Sequence, residues 1–316
     1  MSSADDILAK ARMLCCASCG KSGVGDVKLE ECAGCKKYVI YCSDACKEDH
    51  WPEHEEKCKE YHAAYQAAEL RDEILFRQPE SSHYGDCPIC CLPLPIYPRQ
   101  TFIYSCCGKT ICNGCRYADG LRQRRENMRV ETCPFCRHPL ATTDEEADAN
   151  LMKRIEANDP DAMRQMGAQH AKRKENDDAF KYLTKAAELG NADAHLMLAG
   201  WYRTGEVVEK DKSMELYHLQ EASIAGHPEA RHELALCEGM SGWVERAFKH
   251  WIIAASLGND DSIKALKTCY KDGKISKEDF AGALRAHHAA ANAMKSPQRE
   301  AAQKFLDEHA TSGRFR

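Results

Sequence analysis

Apolar positions in the last 160 residues recur with a period of 36 and then 32, counted between the helix-ending glycines Gly190, Gly226 and Gly258. Aligned on those glycines, Phe180, Leu216 and Phe248 share one slot, Leu183, Leu219 and Trp251 a second, and Ala186, Ala222 and Ala254 a third. A second helix should follow each glycine, with Ala194, Ala230 and Ser262 in a small slot and Leu198, Leu234 and Leu266 in a large one. An earlier copy, Pro160 to Met166, puts Ala162 and Met166 in the same places. Small residues let antiparallel helices approach, and large ones fill the space between them. One such hairpin cannot bury its apolar face alone, so the pattern predicts a stacked αα-hairpin solenoid over residues 159–310. Glycine at each helix end suits the left-handed conformation there. Ser276 and the pair Ser296-Pro297 are helix-start signals for the closing elements.

The front of the chain lacks that rhythm. A helical pattern runs from Ser43 to about Arg77, leaving a first module over 14–60 with a helical extension to about 77. A polar stretch broken by Pro and Gly, 79–86, reads as a linker. A second module spans 87–140, and a charged helix over 144–158 leads into the repeats. The Leu92 to Pro98 segment reads as a surface loop of the second module.

Cysteine supplies what apolar residues do not. Seventeen of the 19 cysteines lie in the first 136 residues. The first run is Cys16, Cys19, Cys32, Cys35, Cys42, Cys46, His54 and Cys58; the second is Cys87, Cys90, Cys106, Cys107, Cys112, Cys115, Cys133 and Cys136. Each run offers eight ligands, enough for two tetrahedral zinc sites. The start of the chain has no signal-peptide pattern and no 18-residue apolar run is present, which points to a reducing compartment, cytoplasmic or nuclear. There, paired cysteines mean metal rather than disulfide. The formal charge of −5 makes nucleic acid an unfavoured partner. Arg122, Arg124, Arg125 and Arg129 accordingly read as a solvated helix face.

The first run resembles a MYND-type zinc finger, on Cys-x-x-Cys twice, then Tyr41-Cys42-x-x-x-Cys46 and Trp51-x-x-His54-x-x-x-Cys58. That resemblance implies that ligand pairs alternate: Cys16, Cys19, Cys42 and Cys46 on one zinc, Cys32, Cys35, His54 and Cys58 on the other. Cys15 competes with Cys16, His50 is an exposed helix residue, and Trp51 is core beside the metal. The second run resembles a RING finger with one departure: Lys109 stands where a histidine ligand is usual. The resemblance implies Cys87, Cys90, Cys112 and Cys115 on one zinc. Cys106, Cys107, Cys133 and Cys136 would share the other, with His138 in reserve for the strained adjacent pair. Cys91 reads as a buried thiol. Residues from about 159 to 290 are similar to Sel-one-like helical repeats, relatives of tetratricopeptide repeats. The expected fold is therefore mostly α, with two small zinc-stabilised α+β modules, one MYND and one RING-like cross-brace, ahead of the solenoid.

Four protein ligands per ion leave no open position, so the four zinc ions are structural. Neither a zinc-protease HExxH, a phosphate-cradling Gly-rich loop nor a GxSxG elbow occurs. Two functions follow from the resemblances. One is a non-catalytic adaptor that binds proteins or proline-containing peptides and no membrane. The other is a RING-type ubiquitin-protein ligase, with Ile89 and Pro134 contacting a ubiquitin-conjugating enzyme and Arg137 bridging it to ubiquitin. Many active RING fingers carry a tryptophan between the third and fourth ligand pairs; here Tyr117 or Leu121 would have to replace it. Trp201, Tyr202, Tyr217, Trp243 and Trp251 are aromatics of the repeats, most of them expected in the core.

Overall fold

The computed structural model describes residues 16–21, 29–33 and 35–309, which form two units divided after Leu75. Cys15 and the outer limits expected for the first module and the solenoid, residues 14 and 310, lie outside the described residues.

The first unit holds a hairpin of β1 (Glu30–Cys32) and β2 (Lys36–Tyr41), followed by α1 (Asp44–Leu75). The strands are antiparallel, Glu30 opposite Tyr41 and Glu31 opposite Ile40, and the register shifts at Cys32. The core here is made of Cys16, Cys32, Cys35, Tyr41 and Cys58, with almost no aliphatic contribution. α1 is polar on most of its surface; His54 and Cys58 are the residues that its first half buries. A helix without an apolar stripe gains little from packing. Its start is fixed instead by the ligands it carries.

The second unit begins with a hairpin of β3 (Thr101–Ile103) and β4 (Thr110–Cys112), then α2 (Asn113–Arg125). Leu94, Tyr104 and Ile111 join Cys87, Cys112, Cys115 and Cys133 in its core. The sequence reading of Leu92 to Pro98 as a surface loop is corrected here: its middle, Leu94, Pro95 and Ile96, is buried. Cys91 is corrected in the opposite direction. It is exposed, at φ 53°, because the chain must turn left-handed immediately after Cys90.

The repeats follow as α3 (Asp144–Glu156), α4 (Pro160–Lys172), α5 (Asn176–Glu188), α6 (Ala192–Thr204), α7 (Lys212–Ile224), α8 (Pro228–Met240), α9 (Val244–Ser256) and α10 (Asp260–Lys271). The slots read from sequence are the contact surfaces. Ala162, Ala194, Ala230 and Ser262 are each 0% exposed, and Met166, Leu198, Leu234 and Leu266 are buried beside them. Gly190, Gly226 and Gly258 have φ of 85°, 86° and 93°, the left-handed turn that a β-carbon would disfavour. Side-chain caps start these helices from Asp159, Asn191, Asp211, His227 and Asn259. Of the repeat aromatics, Trp251 is buried, while Tyr217 and Trp243 are exposed.

Two helices close the unit: α11 (Lys277–Ala293), capped by Ser276, and α12 (Pro297–His309). α12 returns to the second zinc-type module and lies on α2, with the rings of Tyr117 and Phe305 5.0 Å apart. Gly114 permits this approach, since a β-carbon there would lie 2.8 Å from the backbone nitrogen of Arg299. The polar stretch 79–86 is likewise not a loose tether. The backbone N–H of His83 donates to the Gly226 carbonyl at 3.1 Å, and the Ser256 hydroxyl donates to the Gln78 side chain at 2.9 Å.

Buried histidines give the repeats a pH dependence. The Nδ1 atoms of His195 and His218 are 2.8 Å apart, so one must donate and the other accept. Burial, then the neighbouring His195, pushes His218 down to about 4 from 6.5; burial lowers His195, His227 and His250 as well. The unfolded chain therefore takes up these protons first. Stability from the neutral histidines is complete above pH 6.5 and is lost as pH falls from there toward about 4. The thermal midpoint of the helical signal should drop across that window, and His218→Phe should flatten the drop; a midpoint constant through the window would contradict it.

Candidate metal centres

The chain makes its ligand sets with knuckles, tight turns in which the backbone folds around a thiol. Gly20 N–H donates to the Cys16 carbonyl at 2.9 Å, Cys91 N–H to Cys87 at 2.8 Å and Arg137 N–H to Cys133 at 3.0 Å. Each donor sits directly after the second cysteine of a CxxC and has positive φ: 71°, 53° and 58°. Arg137 and Cys91 thus adopt the left-handed region because the knuckle needs it. Backbone N–H groups also point at sulfur: those of Cys112 and Cys115 lie 3.5 Å from the thiols of Cys87 and Cys112.

Four clusters result. Cys16, Cys19, Cys42 and Cys46 converge, as do Cys32, Cys35, His54 and Cys58, both in the first unit. In the second unit Cys87, Cys90, Cys112 and Cys115 form one set, and Cys106, Cys107, Cys133 and Cys136 the other. The donor atoms of each set lie within 4.8 Å of one another. Sulfur–sulfur separations are 3.5 Å (Cys19–Cys42), 3.7 Å (Cys42–Cys46 and Cys32–Cys58), 3.9 Å (Cys90–Cys112), 3.6 Å (Cys107–Cys133) and 3.4 Å (Cys106–Cys136). A tetrahedron with Zn–S bonds of about 2.3 Å has an edge of about 3.8 Å. His54 offers Nε2, 3.3 Å from the Cys35 sulfur. The two pairs of sets interleave along the chain, which is a cross-brace.

Electrostatics asks for a cation in each set. Burial and then the neighbouring Cys32 push the Cys35 thiol far up, and hydrogen bonding to Cys19 with burial takes Cys42 up to about 12. Burial, followed by the adjoining thiols, does the same to Cys106 and Cys115. Cys16 and Cys87 go down, to about 6 and about 7: burial opposes ionisation, but backbone N–H groups outweigh it. Crowded thiols cannot all ionise without a counter-charge, and a divalent ion supplies it. Structural zinc fits all four sets: three of four sulfurs each, and one of three sulfurs and an imidazole.

The residues weighed as reserves stand apart. His138 is exposed and gives its carbonyl, not its ring, to the site, accepting from Cys133 N–H at 2.9 Å. Adjacent Cys106 and Cys107 reach one centre because Gly108, at φ 72°, folds its N–H back to the Tyr104 carbonyl. His50 bonds the Tyr41 hydroxyl through Nδ1 at 3.0 Å and stacks on His54 with ring centroids 5.5 Å apart. Its part is to orient the ligand ring. Trp51, expected in the core, is more than a third exposed and meets His54 edge-on.

Two arginines that no spacing announces complete the second-unit centres. Arg299 of α12 donates to the carbonyls of Pro93 and Leu92 at 2.8 and 3.3 Å and to the Cys90 sulfur at 3.5 Å. Arg154 of α3 donates to the Ser105 carbonyl at 3.3 Å and is ion-paired to Asp159 at 2.8 Å. Both come from helices that flank the repeats, 209 residues from Cys90 in the case of Arg299.

A fifth group, His83, Asp193 and His227, has ligand-like proximity. Its tautomers argue against metal. His227 Nδ1 accepts the Ala230 N–H at 3.4 Å, which places its proton on Nε2, and that Nε2 is 3.2 Å from Asp193 Oδ1. His83 Nε2 and the Tyr84 hydroxyl reach the same oxygen at 3.1 and 3.2 Å. Burial would raise this carboxyl, yet hydrogen bonds from His227 and His83 hold it well below the usual range. The group is a hydrogen-bonded clasp that fastens the 79–86 stretch to α6 and α8.

Metal counting separates the ligands. The intact chain should carry four zinc ions by elemental analysis, Cys106→Ser three with reduced affinity at that centre, and His138→Ala four. Four tightly held ions in Cys106→Ser would remove Cys106 from the ligand set.

Comparison with known proteins falls into three parts. No curated protein matches this chain. Among solved structures, it is similar to a Sel1 repeat protein from Oxalobacter formigenes, with 24% identity and a TM-score of 0.36, over 38% of this chain and 96% of that one. It is similar also to c5321, a protective antigen of uropathogenic Escherichia coli strains displaying an SLR fold, with 20% identity and a TM-score of 0.37, over 52% of this chain and 37% of that one. MamA shows 18% identity and a TM-score of 0.31, over 47% of this chain and 87% of that one. The family model of the MYND finger matches residues 16–58, the segment holding the first two metal centres.

Proposed function

We propose that this protein is an interaction scaffold: two zinc modules and a helical solenoid, each offering a surface to other proteins. The observation that carries this reading is the saturation of the metal sets. Each has four protein donors, so the ions would set shape rather than activate water or substrate. Shape is also what the repeats offer, a stack of hairpins with exposed side chains such as Tyr217, Leu236, Met240 and Trp243.

A ligase reading has specific support as well. Ile89 is 44% exposed, Arg137 is exposed and Pro134 is partly so, around the second module's metal loops. Opposing it, the Tyr117 ring is engaged by Phe305 of α12 rather than left for a conjugating enzyme. Leu121, the other residue that could stand for the missing tryptophan, stays open at 40% exposure. The scaffold reading is therefore the stronger one.

Purified zinc-loaded chain, mixed with ubiquitin, activating enzyme and a panel of conjugating enzymes, should form no ubiquitin chains, while it retains protein partners in pull-downs. Chain formation lost in both Ile89→Ala and Arg137→Ala, with zinc content unchanged, would replace the scaffold by a ligase.

A further inference from the structure

α12 meets the rest of the second unit through one face. Arg299, Ala302, Phe305 and Leu306 turn away from solvent at helical spacing, and every other residue of the helix is exposed. That face lies on α2. The seam is not fully packed: a cleft of about 110 Å3 remains beside Tyr117, Gly120, Phe305 and Leu306. A helix of 13 residues is marginal by itself and depends on what it docks against. So small and loose an apolar contact holds it weakly.

Arg299 supplies the polar tie. Its backbone N–H donates to the Ser296 hydroxyl at 3.3 Å, which caps the helix, and its guanidinium donates to the Met294 carbonyl at 2.7 Å, which closes the corner with α11. The other donors go to the first metal loop of the second module: the Pro93 and Leu92 carbonyls and, at 3.5 Å, the Cys90 sulfur. Four thiolates around a divalent ion leave two negative charges uncompensated. Cys87, Cys112 and Cys115 are buried, so water cannot solvate that charge well. A guanidinium bonded to one of the sulfurs is the counter-charge that this centre needs. At the Cys106 set, Arg154 gives its donors to Asp159 and the Ser105 carbonyl rather than to a sulfur.

We infer that α12 is a latch on the centre formed by Cys87, Cys90, Cys112 and Cys115, with Arg299 as its positioning residue: docking of the helix and retention of zinc at this one site strengthen each other. Such coupling is reciprocal. With α12 on α2, a competing ligand must part Arg299 from Cys90 before it reaches the ion. Loss of the ion disperses the carbonyls and the sulfur that Arg299 holds, and so frees α12. The freed helix uncovers Tyr117, Ala302, Phe305 and Leu306, an apolar surface that is covered in large part while it is docked. The inference rests on zinc as the occupant of this set, and it adds zinc-dependent regulation to the scaffold.

The test follows zinc transfer from the full zinc-loaded chain to a chromogenic chelator. In Arg299→Leu, one of the four equivalents should leave about tenfold or more faster than in the unaltered chain, while three keep their rates. That fast equivalent should disappear when Cys87→Ser is added. Phe305→Ala, which loosens the helix without touching the metal loop, should speed the same single equivalent. Arg299→Lys, which keeps a cation there, should fall between Arg299→Leu and the unaltered chain. With cobalt in place of zinc, the sulfur-to-metal charge-transfer absorption should shift in Arg299→Leu, because a hydrogen bond to a ligand sulfur is lost. Release unchanged in Arg299→Leu or in Phe305→Ala would overturn the latch. Equal acceleration of all four equivalents would overturn it too, as a general loss of stability. A chain that holds no zinc would remove the metal assignment along with the latch, whereas four ions indifferent to Arg299 would leave that assignment standing.

Discussion

Four thiolates cannot share a few ångströms without a cation between them, and that constraint shapes everything ahead of the repeats. The first unit has a core of cysteine, tyrosine and histidine with scarcely an aliphatic residue. Such a core gains little from the hydrophobic effect, and a small unit without it would not pay the entropy of ordering. Metal binding supplies the missing free energy, because the ligands come together only in the folded chain. Interleaving makes the two sites of each module interdependent: the segment between one set's ligands carries the other set's.

The second unit shows how a zinc module can be joined to a solenoid by a few remote polar side chains as well as by helix packing. Arg299 reaches the first metal loop from α12, Arg154 reaches the second from α3, and the His83–Asp193–His227 clasp holds the segment in front. Each contact meets backbone carbonyls, a thiolate or a carboxylate, groups that would otherwise be left short of donors. The result is a module whose position is set from three directions by residues of the repeats and of the helices that flank them.

Much of this was legible in the sequence, for physical reasons that differ by region. The repeat slots were readable because helical hairpins impose a period, and Ala194, Ala230 and Ser262 sit where backbones must approach. The ligand sets were readable because a tetrahedral site fixes pair spacing; the structure brings Cys106 and Cys107 together with Cys133 and Cys136 and leaves His138 outside. Local exposure was not readable. Cys91 reads as buried from its neighbours, but the knuckle turns it outward, and Leu94 reads as loop although it is core. Arg299, Arg154 and His83 were invisible: each works through a contact between remote parts of the chain, 209, 49 and 110 residues apart, and no local pattern encodes such a partner.

Hydrogen exchange by mass spectrometry, before and after removal of zinc with a strong chelator, tests the central claim most directly. If metal cages are what fold the modules, amides across 16–58 and 87–140 should lose protection on chelation, and α12 should loosen with them. Helices α5 to α10 should keep theirs, since their core is apolar and independent of metal. Unchanged protection in the cysteine-rich segments of a metal-free protein would contradict the account.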